Sequence, residues 1–365
     1  RAAAGRPGRV RRVLVARRGG LGDLVALLPM LRALRDAGAR VTLAVDPANP
    51  APALLKDTGL VHEILVLHPP ATPAQRLAQA WTLLRRGFDA HLTGCRYFTG
   101  RETLFCGAPI HASIDDGHPH QRLADRILPL DPARHEADNM LALVRALGLP
   151  VHPDRRTPAL DLPEPRLRAA AAELRALSPD LAAAPIRPGP QPDAPEWIAV
   201  HPGAARPSRR WPEDRFVEVL TQLLRERPAL CVALTGSKDE APLAQRIAGA
   251  LPPDLRPRVL VAAGRTSLDA LCALLLRSRL LLSNDTGVMH LAAALGVPLV
   301  ALFGPENPRR WGPLPRPSVP TTILQIRVPC FPCVRWDCAP HYCLKSLDPA
   351  PVLQALRTTL DPPTP

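Results

Sequence analysis

Apolar and polar positions along the chain alternate between two patterns. Short apolar runs, the mark of strands buried on both faces, fall at Val13–Ala16, Val41–Val45 and Ile64–Leu67, with a further strand at Asp89–Leu92. Between and after them, apolar residues recur at helical spacing. Asp23–Asp36 carries Leu24, Leu27, Leu28, Leu31 and Leu34 on one face, with Pro29 as a candidate kink, and Pro73–Arg86, Glu136–Leu147 and Pro165–Leu177 follow. The second half repeats the alternation. Its strands are Trp197–Val200, Cys231–Leu234, Val259–Ala262, Leu280–Leu282, Pro298–Phe303 and Thr321–Ile326. Its helices are Glu213–Arg225, a segment through Ile247, Leu268–Arg277, Thr286–Leu295 and Pro351–Leu360. Such a rhythm predicts an α/β protein of parallel sheets with helices on both faces. Ser178–Pro195, crowded with proline and alanine, reads as a stiff extended spacer. The predicted organisation is therefore a first domain over 10–177, a linker over 178–195, a second domain over 196–347 and a terminal helix over 348–361.

Two places in this pattern carry chemistry. Ser283-Asn284-Asp285 breaks an apolar run with turn and cap residues, and Gly296 followed by Pro298 ends the next helix. A helix whose first turn holds Asp285, Thr286 and Gly287 offers free backbone N–H groups to a phosphate, and a carboxylate there can accept hydrogen bonds from sugar hydroxyls. The same residues also suit a plain βαβ unit with Asp285 as a helix cap. Near the start, Gly19-Gly20-Leu21-Gly22 precedes Asp23. This loop lets a ligand approach the backbone, but its glycines lack the dinucleotide-fingerprint spacing, and Asp23 alone reads as an N-cap.

The stretch DTGVMHLAAALGVPLVALFGPENPRRWGP closely resembles the donor-site signature of glycosyltransferase family 9, the ADP-heptose:lipopolysaccharide heptosyltransferases. RRVLVARRGGLGDLVALLPMLRAL is similar to that family's opening strand, glycine loop and helix. The resemblance implies a GT-B fold, two Rossmann-like doubly wound domains facing across a cleft, with a terminal helix crossing back onto the first. It implies inverting transfer of a heptosyl group from ADP-L-glycero-D-manno-heptose to the lipopolysaccharide inner core, with no metal at the reacting centre and no cofactor beyond that donor.

Residue by residue, the match at GLGD makes Asp23 the base that takes the acceptor hydroxyl's proton. In the loop from His201 to Pro212, relatives commonly place a lysine beside the Trp-Pro pair to meet the donor diphosphate. Here Arg210 holds that position, with Ser208 in the same loop. Glu240, in TGSKDE, is the choice for the donor ribose over Asp239, and both also suit plain helix-start charges. His290 lies one turn after Asp285 and Thr286, placed either to touch the donor or to pack as a core histidine. Expected partners are a nucleotide-sugar donor and a lipid-linked saccharide acceptor. Two other readings use the same motifs. A nucleotide-sugar epimerase would need a second acid/base group besides Asp23, and a non-catalytic nucleotide-sugar-binding protein would keep only the donor loops.

Composition changes this picture little. The 46 Lys+Arg against 33 Asp+Glu give a formal charge of +13, which favours acidic partners such as nucleotide phosphates or an anionic inner-membrane surface. Aromatic residues at 4% are too few for base-stacking platforms, which argues against nucleic acid. The basic start precedes only the short run Val13–Ala16, unlike a signal peptide, so a cytoplasmic setting with reduced thiols is expected. Cys330, Cys333, Cys338 and Cys343 are spaced as a structural zinc site would be, though relatives carry such tails without an assigned metal role. Asp115 to His120, which includes Asp116 and His118, reads as a surface loop.

Overall fold

The structure, a computed structural model, describes residues 10–94, 106–115, 124–186, 195–333, 335–338 and 340–361. The chain divides into two compact units, Arg1–Pro158 and Ala159–Pro365.

The first unit holds β1 (Arg12–Ala16), α1 (Leu21–Asp36), β2 (Arg40–Val45), α2 (Ala51–Leu54) and β3 (Glu63–Val66). It continues with α3 (Pro73–Leu84), β4 (Ala90–Thr93), β5 (Ile110–Asp115), β6 (Arg126–Pro129) and α4 (Glu136–Ala146). Its six strands are all parallel, in the order β3-β2-β1-β4-β5-β6. Val13, Leu14, Val15 and Ala16 are buried, as a central strand covered on both faces requires. α1 runs unbroken through Pro29, which is itself buried.

The second unit begins with α5 (Glu164–Leu177), α6 (Pro179–Ala183), β7 (Glu196–His201), α7 (Glu213–Glu226) and β8 (Leu230–Leu234). α8 (Ala241–Ala250), β9 (Val259–Val261), α9 (Leu268–Arg277), β10 (Leu281–Asn284) and α10 (Gly287–Leu295) follow. β11 (Leu299–Phe303), α11 (Pro308–Trp311), β12 (Thr321–Gln325), α12 (Tyr342–Lys345) and α13 (Pro349–Leu360) complete it. The sheet order is β12-β11-β10-β7-β8-β9, again all parallel. Counting strands within each unit, both sheets follow the doubly wound order 3-2-1-4-5-6. In the second core, Trp211 meets Phe216 edge-on at 4.9 Å and donates its indole N–H to the Leu347 carbonyl at 2.9 Å. Burying an aromatic ring of this kind contributes about 1.5–3 kcal/mol.

Two expectations change. The chain divides after Pro158, not at the proline-rich stretch, because α5 is tied to α9. Arg166 pairs with Asp269, and Glu173 accepts the Ser267 N–H and hydroxyl at 2.7 and 2.6 Å. The stretch 178–195 is not a plain spacer either. The Ser178 hydroxyl accepts the Leu181 N–H with proline at the first helical position, which starts α6, and Leu181 is fully buried; residues 187–194 lie outside the described part. Helix α13 packs on α7 and on the sheet of its own unit, through Val352, Leu353 and Leu356.

Asp115 closes β5 rather than opening a surface loop, while Asp116, Gly117, His118 and His120 lie outside the described residues, as does Cys95. No described helix is long and apolar enough to cross a membrane.

Candidate active site

In a doubly wound sheet, ligands settle at the carboxyl ends of the strands where the order reverses, since the two neighbouring loops part there. That point lies between β1 and β4 in the first unit and between β7 and β10 in the second. Both sequence motifs fall on it.

In the first unit, α1 starts at Leu21, so Asp23 is the third residue of the helix and not its cap. Its Oδ2 accepts the Gly20 N–H at 3.1 Å, and its Oδ1 accepts a bond from the Arg17 guanidinium at 2.9 Å. Gly19 makes this turn possible. Its φ of +125° suits glycine, and a Cβ there would lie 2.4 Å from the Asp23 Oδ2. Arg17 is the residue the sequence reading passes over. It is buried beneath the loop, bonded to the Gly94 carbonyl at the end of β4, and 3.4 Å from the Glu136 carboxylate. One buried cation thus spans the two diverging loops and fixes the orientation of Asp23, whose carboxylate stays 35% exposed and open to a reactant.

In the second unit, Asn284 performs the same spanning role. Its Nδ2 donates to the Pro202 carbonyl at 2.7 Å, and its Oδ1 accepts the Trp211 N–H at 3.1 Å. The loop after β7 is thereby stitched to the end of β10. Thr286 caps α10, with its hydroxyl accepting the Met289 N–H, and Gly287 opens the helix. His290 is buried on α10.

Asp285 lies between these anchors and is buried. Its Oδ2 has no hydrogen-bond partner, although the Arg209 Nε sits 3.4 Å away, itself unbonded. Burial pushes the Asp285 carboxyl up from 3.8 to about 6; Arg209 and Arg206 pull it back and Glu306 pushes with the burial. An unsatisfied buried oxygen of this kind costs about 1–3 kcal/mol. Its lone pairs are left for a further hydrogen bond.

Glu306, from the loop after β11, is buried and accepts bonds from Arg206 at 2.9 Å and Arg209 at 2.5 Å. Sequence reasoning missed this group, whose parts come from loops about a hundred positions apart (separations of 100 and 97). Of the residues it did select, Arg210 is exposed and anchored by its Nε on the Ala204 carbonyl at 2.8 Å. Ser208 is buried. Its hydroxyl donates to the Arg335 carbonyl at 2.8 Å and its own carbonyl meets the His341 Nε2 at 2.6 Å, so it anchors the cysteine-bearing segment.

Glu240 sits before α8, its Oε2 accepting the Ser237 N–H at 2.8 Å and lying 3.9 Å from the His201 Nε2. Burial holds His201 below its ordinary value and therefore neutral. Gly203 and Gly236 leave the space that the Glu240 side chain fills. Among the described residues, no three of the histidines, cysteines and carboxylates are placed to hold a metal, and the cysteines of the 330–343 segment are free thiols.

The family profile for glycosyltransferase family 9 (heptosyltransferase) matches residues 105–341. The chain is 38% identical to lipooligosaccharide heptosyltransferase 2 of Haemophilus influenzae over 130 residues, 35% of this chain and 36% of that protein. It is 32% identical to lipopolysaccharide heptosyltransferase 2 of Escherichia coli over 166 residues, 45% of this chain and 46% of that one. These alignments thus span less than half of each curated relative. The solved structure of the E. coli ADP-heptose lipopolysaccharide heptosyltransferase II superposes with a TM-score of 0.75 at 22% identity, covering 96% of this chain and 98% of that one. At that identity the likeness shows the fold, the GT-B type expected from the sequence.

Proposed function

The chain belongs to glycosyltransferase family 9, and from that premise we propose that it transfers a heptosyl group from ADP-L-glycero-D-manno-heptose to the inner core of lipopolysaccharide. The observation that carries the reading is the pair of polar clusters at the two topological switch points, one around Asp23 and one around Asp285. Glycosyl transfer needs a carboxylate for the acceptor proton and a separate set of groups for the sugar nucleotide. In this reading Asp23 is the base and Arg17 the residue that positions it. Asp285 accepts sugar hydroxyls, the N-terminus of α10 with Thr286 and Gly287 faces the diphosphate alongside Arg210, and Glu240 takes the ribose. The sugar inverts in a single displacement, and the acceptor is lipid-linked, met at the inner face of an anionic membrane. The mass gain of a defined Kdo-lipid acceptor incubated with ADP-heptose tests this. A heptose added from ADP-heptose and from no other sugar nucleotide is the expected result; no mass gain with any of them rejects the transfer.

Two further outcomes are expected. The leaving ADP would be stabilised by Arg210 and a helix N-terminus, so activity should survive exhaustive chelation, measured as turnover with circular dichroism in parallel. A folded but inactive chelated protein, restored by magnesium, would contradict a metal-independent step.

The second outcome concerns Gly203. A Cβ at that position would lie 2.1 Å from the Glu240 Oε1 and 2.4 Å from its Cδ, so Gly203→Ala must push the carboxylate aside. ADP affinity should fall by about tenfold, the worth of one hydrogen bond to a charged group, as it should in Glu240→Ala. The double variant should be no worse than either single one. Additive losses in calorimetry would mean that Gly203 acts elsewhere.

A further inference from the structure

The cluster in the second unit is charge-balanced. Two guanidiniums, Arg206 and Arg209, face two buried carboxylates, Glu306 and Asp285. The bonding is uneven. Both arginines give their hydrogen bonds to one oxygen of Glu306, while the Arg209 Nε and the Asp285 Oδ2 lie 3.4 Å apart without bonding. Glu306 is itself firmly placed. The Gln325 Nε2 holds the Gly304 and Glu306 carbonyls at 3.0 and 2.9 Å, and the Cys333 N–H holds the Pro305 carbonyl at 2.8 Å.

An anionic ligand entering the loop after β7 therefore meets two arginines that already share a fixed internal anion, each through one of its N–H groups. We propose that Glu306 is a place-holder for the ligand's diphosphate: it keeps Arg206 and Arg209 folded and neutralised in the empty site, and the diphosphate must take them from it. This rests on the reading of the second unit as a nucleotide-sugar site, and it names a residue that tunes the affinity and the salt response of that site. A carboxylate that pairs with the same guanidiniums as the ligand lowers the ligand's affinity by competition. Asp285 provides a second readout. Glu306 pushes its proton affinity up and Arg209 and Arg206 push it down, with His290 following one turn later on α10. Freeing the arginines should move the pH dependence of ligand binding to lower pH.

The test compares wild type with Glu306→Gln by calorimetry, using inorganic pyrophosphate, ADP, UDP, GDP, adenosine and ADP-heptose as probes. The glutamine variant is expected to bind pyrophosphate and ADP about tenfold more tightly at low salt, with adenosine unchanged, because only the anionic part competes with Glu306. The pH below which ADP-heptose binding weakens should lie lower in the variant than in the wild type, because Asp285 loses a neighbouring negative charge. Removing Glu306 also leaves the two partly buried arginines one anion short, so the variant should melt lower and gain more in Tm from pyrophosphate than the wild type does. Equal or weaker pyrophosphate binding by a folded Glu306→Gln protein overturns the proposal, and so does a gain that extends to adenosine. A gain for pyrophosphate without preference for ADP over UDP or GDP supports Glu306 as place-holder while removing the ADP-heptose reading.

Discussion

Exchanging Asp23 for asparagine is expected to lower kcat in the proposed transfer by about 10²–10⁴, the usual worth of a general base. A sugar hydroxyl attacks poorly until its proton has an acceptor, and Asp23 is a partly exposed carboxylate at the switch point of the first sheet. Asparagine keeps the size and can still accept the Gly20 N–H, but its amide takes no proton. The exchange is not structurally silent, since it removes a carboxylate from Arg17 and leaves Glu136, 3.4 Å away, as the other counter-charge. Loss of that charge-assisted bond should cost about 1–3 kcal/mol, so rates must be compared well below the onset of melting.

Arg17→Gln separates the two effects. It breaks the same ion pair but leaves the basic oxygen in place. A kcat much lower in Asp23→Asn than in Arg17→Gln is the expected pattern. Equal, modest losses in the two variants would leave Asp23 as a helix-end residue and send the search for a base elsewhere.

What the sequence made legible and what it did not follow from the range of the interactions. Central strands such as Val13–Ala16 and Leu299–Phe303 announce themselves because both faces are buried and every residue is apolar. β5 escaped the reading because His111 and Ser113 are buried within it, so its polar letters imitate a loop. The domain division was misplaced because proline and alanine mark a spacer as readily as a helix start, and the bonds that decide the matter run from Arg166 to Asp269 across 103 positions.

The candidate site divides in the same way. Asp23, Glu240 and Asp285 sit at strand ends or helix starts, which local pattern can locate. Arg17 with Glu136, and Glu306 with Arg206 and Arg209, exist only once distant loops are brought together by the sheets.

Asp285→Asn should move binding and stability in opposite directions. The carboxyl is raised from 3.8 to about 6 by burial, so between those values the folded chain holds a proton that the unfolded chain has released. The sign follows directly. The group's contribution to stability is full below about 3.8 and is lost as pH rises through about 6, where the fold must carry a buried, poorly bonded charge. Asparagine has no charge to bury. Relative to wild type, the variant should gain up to about 3 kcal/mol at pH 8 and almost nothing at pH 4, seen as a pH-dependent difference in Tm.

Binding should respond the other way. In the proposed reaction the ionised Oδ2 finds its hydrogen-bond donors in the sugar hydroxyls, and losing such a bond costs about 1.5–3 kcal/mol, about 10–150-fold in donor affinity. In the wild type, the same affinity should fall as pH drops below about 6, because a protonated carboxyl is the poorer acceptor. A site that stores instability until its ligand arrives is the arrangement these paired measurements detect. If the asparagine variant melts like the wild type at pH 8 and binds ADP-heptose as tightly, Asp285 is an ordinary buried cap and the donor must be held by other groups.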